Sequence, residues 1–302
     1  MTADEQAGAR DSVWRSPTLW VLFVTLLWGL YWIPIMYVEA QGFTGVWAGL
    51  LLNLGALAVA TLLLLWRRPT LARFLEGRTL AGGFLFGLAI TLYASSLLAT
   101  EVARAVLLFY MSPAWSTLIE IAFMGRRAGP RRFAALGLSA AGLLALTGGE
   151  VDFSDAAGLG DAMALASGLA WAVGSALLFG GKGGDLRVGS FHCLLGAVVS
   201  GFLLLTLLPG EAQAPIGDWL VGLAMGAAYI LPIVVICFWG ALRLPPGKLG
   251  FLLTGEIVSG LLSAALLLDQ PFGWSEITGA VLICLAAASE ALAREAPPAK
   301  AP

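Results

Sequence analysis

Glu256 is the one acidic residue placed deep inside a long apolar stretch, GFLLTGEIVSGLLSAALLL (250–268). A charged carboxylate at the centre of a bilayer costs on the order of 2.5–3.5 kcal/mol on insertion scales. Such a group has to be protonated, hydrogen-bonded or turned toward water. Ser259 and Ser263 follow at i+3 and i+7 with Gly260 between them, so one helix face carries a polar stripe. Three roles suit Glu256: holding a substrate ammonium, carrying a proton, or bonding across helices while neutral.

A second constellation is aromatic. The segment LLWGLYWIPIMY (26–37) sets Trp28, Tyr31 and Trp32 at i, i+3 and i+4, on one face of a continuous helix, with Pro34 just beyond. Trp and Tyr normally gather at membrane interfaces, so rings near the middle of a span require another reason. A matching face at Trp171, Gly174 and Ser175 offers space where the first offers bulk. Together they can wall a cavity for a flat or apolar ligand, or fill a bundle core. Pro113 removes a backbone donor from the middle of its segment and frees a carbonyl near Phe109, beside a polar stripe of Ser112, Ser116 and Glu120. Pro34 and Pro232 are expected to act in the same way. The candidate substrate-binding set is Trp28, Tyr31, Trp32, Tyr93, Phe109, Tyr110, Pro113, Trp171, Ser175, Tyr229, Glu256 and Ser259. His192 and Asn53 lie nearer span ends and are expected to hydrogen-bond between helices.

The elements that position these residues follow from composition. Of the 302 residues 59% are hydrophobic and 12% charged, about half the charged share of a soluble domain. Mean hydropathy is +0.88. Ten apolar segments are long enough to cross a hydrocarbon core of about 30 Å: roughly 17–38, 46–66, 79–99, 103–123, 131–148, 158–180, 189–208, 216–239, 246–268 and 274–293. The expected fold is an all-α integral membrane protein. With the N-terminus in the cytoplasm, sixteen of the 17 Lys and Arg residues fall on the cytoplasmic side, and only Arg104 falls outside. The outer loops carry Glu39, Glu101, Glu150, Asp152, Asp155, Glu211 and Asp269. This asymmetry supports ten spans with both termini inside. The stretches 1–16 and 294–302 are then cytoplasmic tails, the second Pro/Ala-rich and expected to be disordered. The acidic N-terminus and the long first run do not fit a cleaved signal peptide.

A shift of 143 residues lays Trp28-Gly29 on Trp171-Ala172, Pro113 on Glu256 and Arg126 on Asp269; one gap further on, Gly137 meets Gly279. Two five-helix repeats, 17–148 and 158–293, are therefore expected. An odd repeat length inverts the second copy in the membrane, a plan whose substrate site lies near the bilayer midplane. Trp28, Pro113, Trp171, Tyr229 and Glu256 all fall near the centres of their spans.

The chain also excludes much. A net charge of −2 gives no basic field for nucleic acid. No Lys or Arg stands mid-span, which disfavours phosphorylated substrates and leaves neutral, zwitterionic or cationic solutes. One His and three Cys, the latter read as small buried hydrophobes, supply no metal or disulfide framework. No HExxH or GxSxG motif is present, so neither a cofactor nor a catalytic residue is assigned. The partners implied are a small-molecule substrate and the lipid bilayer; nothing calls for more than a monomer, and oligomeric state stays open. Gly45/Gly49, Gly83/Gly87 and Gly222/Gly226 suit close helix packing.

At Trp28-Gly29, Ser112-Pro113, the span count and the five-plus-five duplication, the chain resembles the drug/metabolite transporter superfamily, in its EamA-type ten-helix branch. Where members of that branch often carry Gly-Glu after spans four and nine, this chain reads Gly125-Arg126 and Leu268-Asp269. The resemblance implies export of small metabolites or drugs across a bacterial inner membrane by alternating access. The ring-rich interior is similar to that of YddG-like exporters of aromatic amino acids. A cationic-drug or quaternary-ammonium exporter is the alternative within transport, and a membrane-embedded enzyme the alternative outside it.

Overall fold

The computed structural model describes residues 16–100, 105, 108–146, 158–179, 185–267 and 273–292. Both expected tails, Arg104, Lys182 and the outer acids Glu101, Glu150, Asp152, Asp155 and Asp269 lie outside these residues. The described fold is all-α. Its helices are α1 (Pro17–Gly29), α2 (Trp32–Ala40), α3 (Val46–Trp66), the short α4 (Leu71–Phe74), α5 (Gly77–Ala99), α6 (Ser112–Phe123), α7 (Pro130–Leu146), α8 (Leu159–Leu178), α9 (Leu186–Leu204), α10 (Ile216–Met225), α11 (Leu231–Ala241), α12 (Pro246–Leu253), α13 (Glu256–Leu267) and α14 (Trp274–Ala291). A π-helical turn, Gly226–Ile230, joins α10 to α11. Among the described residues, 7 helical runs are long and apolar enough to cross a membrane, which makes this a multi-pass membrane protein.

Three of those runs are interrupted midway. The run from Pro17 to Ala40 breaks at Leu30–Tyr31, where Leu30 N–H donates to Leu27 O and Tyr31 N–H to Trp28 O, both at 3.0 Å. The run from Ile216 to Ala241 passes through the π turn, and that from Pro246 to Leu267 breaks at Thr254–Gly255. Each expected mid-helix proline stands in the first turn of the helix that resumes: Pro34 in α2, Pro113 in α6, Pro232 in α11. The breaks beside Pro34 and Pro113 agree with the expected loss of a backbone donor in mid-span, whereas the run that holds Pro232 continues through the π turn. The first N–H groups of a helix lack intrahelical partners, so a residue without an N–H costs little there.

Glycines let the helices pack backbone to backbone. A Cβ on Gly87 would lie 1.9 Å from Cys193 O, one on Gly55 2.0 Å from Leu223 O, and one on Gly226 1.9 Å from Leu52 O. Gly83 and Gly222 also sit at tight contacts, on α9 and on Leu51. Gly45 and Gly49 do not: Gly45 adopts φ +60° in the turn before α3, and Gly49 has only ordinary contacts. By these approaches α5 packs on α8 and α9, α3 on α9, α10 and the π turn, and α7 on α14. The helix α1 lies against α11, α12 and α13, and α6 against α8 and α12.

At one end of the bundle the turn after α2 pairs with the segment before α10. Phe43 bridges Ala212, and Thr44 N–H donates to Glu211 O at 2.9 Å. At the other end Glu120 of α6 accepts from Gly247 N–H at 2.7 Å and from Arg132 Nη1 at 3.5 Å. The polar stripe on α6 thus has a structural use at its end, where Glu120 satisfies an otherwise unpaired N–H in the first turn of α12.

Candidate functional site

One cavity lies where the breaks meet. Its walls are Trp28, Phe86, Ala89, Ile90, Tyr93, Phe109, Tyr110, Ser112, Trp171, Cys193, Ile233, Val234, Cys237, Gly250, Leu253 and Glu256. The space open to the centres of water-sized spheres is about 30 Å³, and a buried water needs about 10–15 Å³ on that measure. In this conformation the cavity therefore has room for a water or two, and a ring-sized solute needs the walls to part.

Three aromatic groups build it. Trp171 of α8 stacks on Phe86 of α5, with centroids 4.3 Å apart and planes at 6°. Tyr93 packs on Phe109 at 4.4 Å, and Phe109 meets Tyr110 edge-on at 5.1 Å. Trp28 stacks on Tyr31 at 5.2 Å and 8°, and Tyr31 on Tyr229 at 6.5 Å and 11°. Pairs of this kind contribute about 0.5–1.5 kcal/mol each beyond area burial, so the walls are well supported from behind. The turn at Tyr110–Met111 that precedes α6 is accommodated by Gly168 of α8, where a Cβ would stand 2.7 Å from Phe109 O.

Glu256 is 6% exposed and is the first residue of α13. The Tyr110 hydroxyl donates to its Oε1, which links α13 to the segment before α6. Among the described residues, Glu256 is the only Asp, Glu, Lys, Arg or His in the lining. The arrangement can hold a flat apolar body between rings, with one carboxyl group and the Ser112 hydroxyl as polar contacts. Among the described residues no group of three or more His, Cys, Asp or Glu is placed to hold a metal ion.

Six of the twelve sequence-selected residues border the cavity: Trp28, Tyr93, Phe109, Tyr110, Trp171 and Glu256. Tyr31 and Tyr229 stand one layer back, as the backing of Trp28. The other four lie elsewhere. Trp32 is separated from Trp28 by the break at Leu30, and its Nε1 donates to Ser263 Oγ at 3.0 Å. The shared face expected of Trp28, Tyr31 and Trp32 is therefore split, because the helix that would align them is not continuous. Ser175 donates to Trp171 O at 2.7 Å, and Ser259 to Glu256 O at 3.0 Å. Ser263 likewise donates to Gly260 O at 2.9 Å, so both α13 serines direct their hydroxyl protons to their own helix while Ser263 accepts from Trp32. Pro113 packs its backbone against Gly250 and does not line the cavity itself. The space expected beside Gly174 is filled by Phe86 and Leu85 of α5.

Sequence reasoning passed over Phe86, Ile90, Ile233, Val234 and Leu253, which read as ordinary core, and Ser112, which was noted only as part of a stripe. It also passed over Cys193 and Cys237, two free buried thiols on the cavity wall; Cys284 is free too but exposed on α14, against the expectation of burial. Asn53 donates within its own helix, to Gly49 O at 2.8 Å. His192 has no hydrogen-bond partner among the described residues and packs against Phe74 at 4.8 Å. Neither makes the expected interhelical bond.

No protein-family model matches the chain. No curated protein matches it either. Among solved structures 29 chains match. One of them, a crystal structure, is 24% identical over 90% of this chain and 94% of its own, with a TM-score of 0.69. At that identity the likeness shows the fold.

Proposed function

We propose that this chain is a secondary transporter of the drug/metabolite type, with ten spans in two inverted five-helix repeats, 17–148 and 158–293. It exports small apolar-bodied metabolites, aromatic or hydrophobic amino acids foremost, from the cytoplasm of a bacterium across the inner membrane. Its work is binding and release, with no catalytic residue or cofactor. One observation carries the reading: three pairs of cavity residues, Trp28 and Trp171, Ile90 and Ile233, Tyr110 and Leu253, are each separated by 143 residues. This is the offset at which the two halves of the sequence align. A cavity lined at equivalent positions of two repeats is what a site on a pseudo-two-fold axis requires.

Helix packing supports the same symmetry. Under the offset, the contact of α6 with α8 has its counterpart in α13 with α1, and α7 with α14 is its own counterpart. The helices α6 and α13 both begin just after a break. The orientation has support as well. Arg187 Nη1 donates to Arg67 O at 3.2 Å, so two loops assigned to the cytoplasm meet. The paired segments around Phe43 and Ala212 were both assigned outside.

A cavity too narrow for a ring-sized solute fits a protein that opens to one side at a time. Uptake of labelled phenylalanine, threonine and methyl viologen into proteoliposomes tests the function. Saturable phenylalanine uptake supports amino-acid export. Methyl viologen alone would favour the second reading, a cation exporter, for which a lone carboxyl among rings with no opposing cation speaks. Rates equal to empty liposomes for all three would contradict both.

A further inference from the structure

Trp28 of α1 is backed by Tyr31 of its own run and, behind that ring, by Tyr229 of the neighbouring π turn. The Tyr229 hydroxyl donates to Leu27 O, the carbonyl one residue before Trp28. The Tyr229 ring lies parallel to Tyr31, which lies parallel to Trp28, so the three form one stack with Trp28 at the cavity end. Tyr31 reaches that stack because α1 stops at Gly29 and the chain turns. Tyr229 reaches it from within the π turn, Gly226–Ile230. Such turns in otherwise α-helical segments often mark functional positions. One turn further on, the same run supplies Ile233, Val234 and Cys237 to the cavity.

We propose that Tyr229 is a specificity-determining positioning residue: through Leu27 and Tyr31 it fixes the Trp28 ring, and so sets the width of the cavity for ring-bearing solutes. The proposal deepens the transport reading and rests on it. The geometry separates two hydroxyls. That of Tyr229 has a partner; that of Tyr31 is buried and has none among the described residues. Leu27 O also accepts from Leu30 N–H at 3.0 Å, so removing the Tyr229 hydroxyl leaves no orphaned carbonyl and the variant is expected to fold.

The test uses full-length protein labelled with 5-fluorotryptophan, with the Trp28 signal assigned from Trp28→Phe. In Tyr229→Phe the ¹⁹F resonance of Trp28 is expected to shift or split, while in Tyr31→Phe it stays in place. In proteoliposomes Tyr229→Phe is expected to change the ratio of KM for tryptophan to KM for valine on the order of threefold, with protein yield near wild type. A Trp28 resonance unmoved in Tyr229→Phe overturns the proposal, as does a moved resonance with an unchanged KM ratio. Wild-type vesicles that take up neither amino acid would contradict the amino-acid export reading, and the resonance would still decide whether Tyr229 holds Trp28.

Discussion

Glu256 has a defined partner, the Tyr110 hydroxyl, and faces the cavity together with rings from four segments: α1, α5, the stretch before α6, and α8. If it binds a proton or an ammonium group during transport, Glu256→Gln changes the pH profile of uptake or the substrate affinity. The same profile and affinity in the variant would make it a packing residue. Trp28→Ala is expected to alter selectivity among ring-bearing solutes more than it alters yield, whereas parallel losses of folded protein and uptake would return the ring to the core. Six candidates were legible from type and depth, because rings and an acid in the middle of apolar runs are anomalous. Trp32, Ser175 and Ser259 do not border the cavity in this conformation, for local reasons. A helix break redirects Trp32 toward Ser263, and mid-helix serines bond their own preceding carbonyls. The aliphatic wall residues carried no sequence signal that separates cavity from core.

Among the helices, glycine position decides how closely two backbones approach. Gly226→Val places carbon against Leu52 O and is expected to abolish folded protein, whereas Gly217→Ala, with nothing within 4 Å, is neutral; melting in detergent distinguishes them. Glu120→Ala leaves Gly247 N–H unpaired and Arg132 without this carboxylate. It is expected to cost about 1–3 kcal/mol, and Glu120→Gln less, since the amide oxygen still accepts. At the start of α9, Asp185 accepts from Arg187 N–H at 3.0 Å and pairs with the Arg187 guanidinium at 2.7 Å. These hydrogen bonds hold its carboxyl below the usual carboxylate range. A depressed folded value means stabilisation that is present at neutral pH and is lost as pH falls through the folded pKa, below the ordinary carboxylate range. Asp185→Ala is therefore expected to lower the melting temperature at pH 7, by a cap's worth of about 1 kcal/mol, and to converge with wild type in acid. Helix positions were legible from hydropathy. The breaks beside Pro34 and Pro113 were legible from the prolines, whereas the π turn and the break at Thr254–Gly255 depend on which neighbour receives the freed backbone groups.

As proposed above, the whole molecule would join two five-helix units around a ring-lined chamber that has no Lys, Arg or His among its described walls. All-α architecture and repeated apolar runs followed from composition and hydropathy, while the meeting of the breaks around one cavity required the packed structure. Cysteine labelling of engineered termini is expected to place both chain ends on the cytoplasmic side; ends on opposite sides would contradict an even number of spans. The chamber itself carries two native reporters, Cys193 and Cys237, and Cys284→Ser removes the exposed thiol. The most direct measurement is the rate of maleimide modification of these two cysteines in membranes, with and without saturating phenylalanine or methyl viologen. The account predicts that whichever solute is transported slows modification of both. Modification at the same rate in the presence of a transported solute would contradict it, because that solute would then cross by another route.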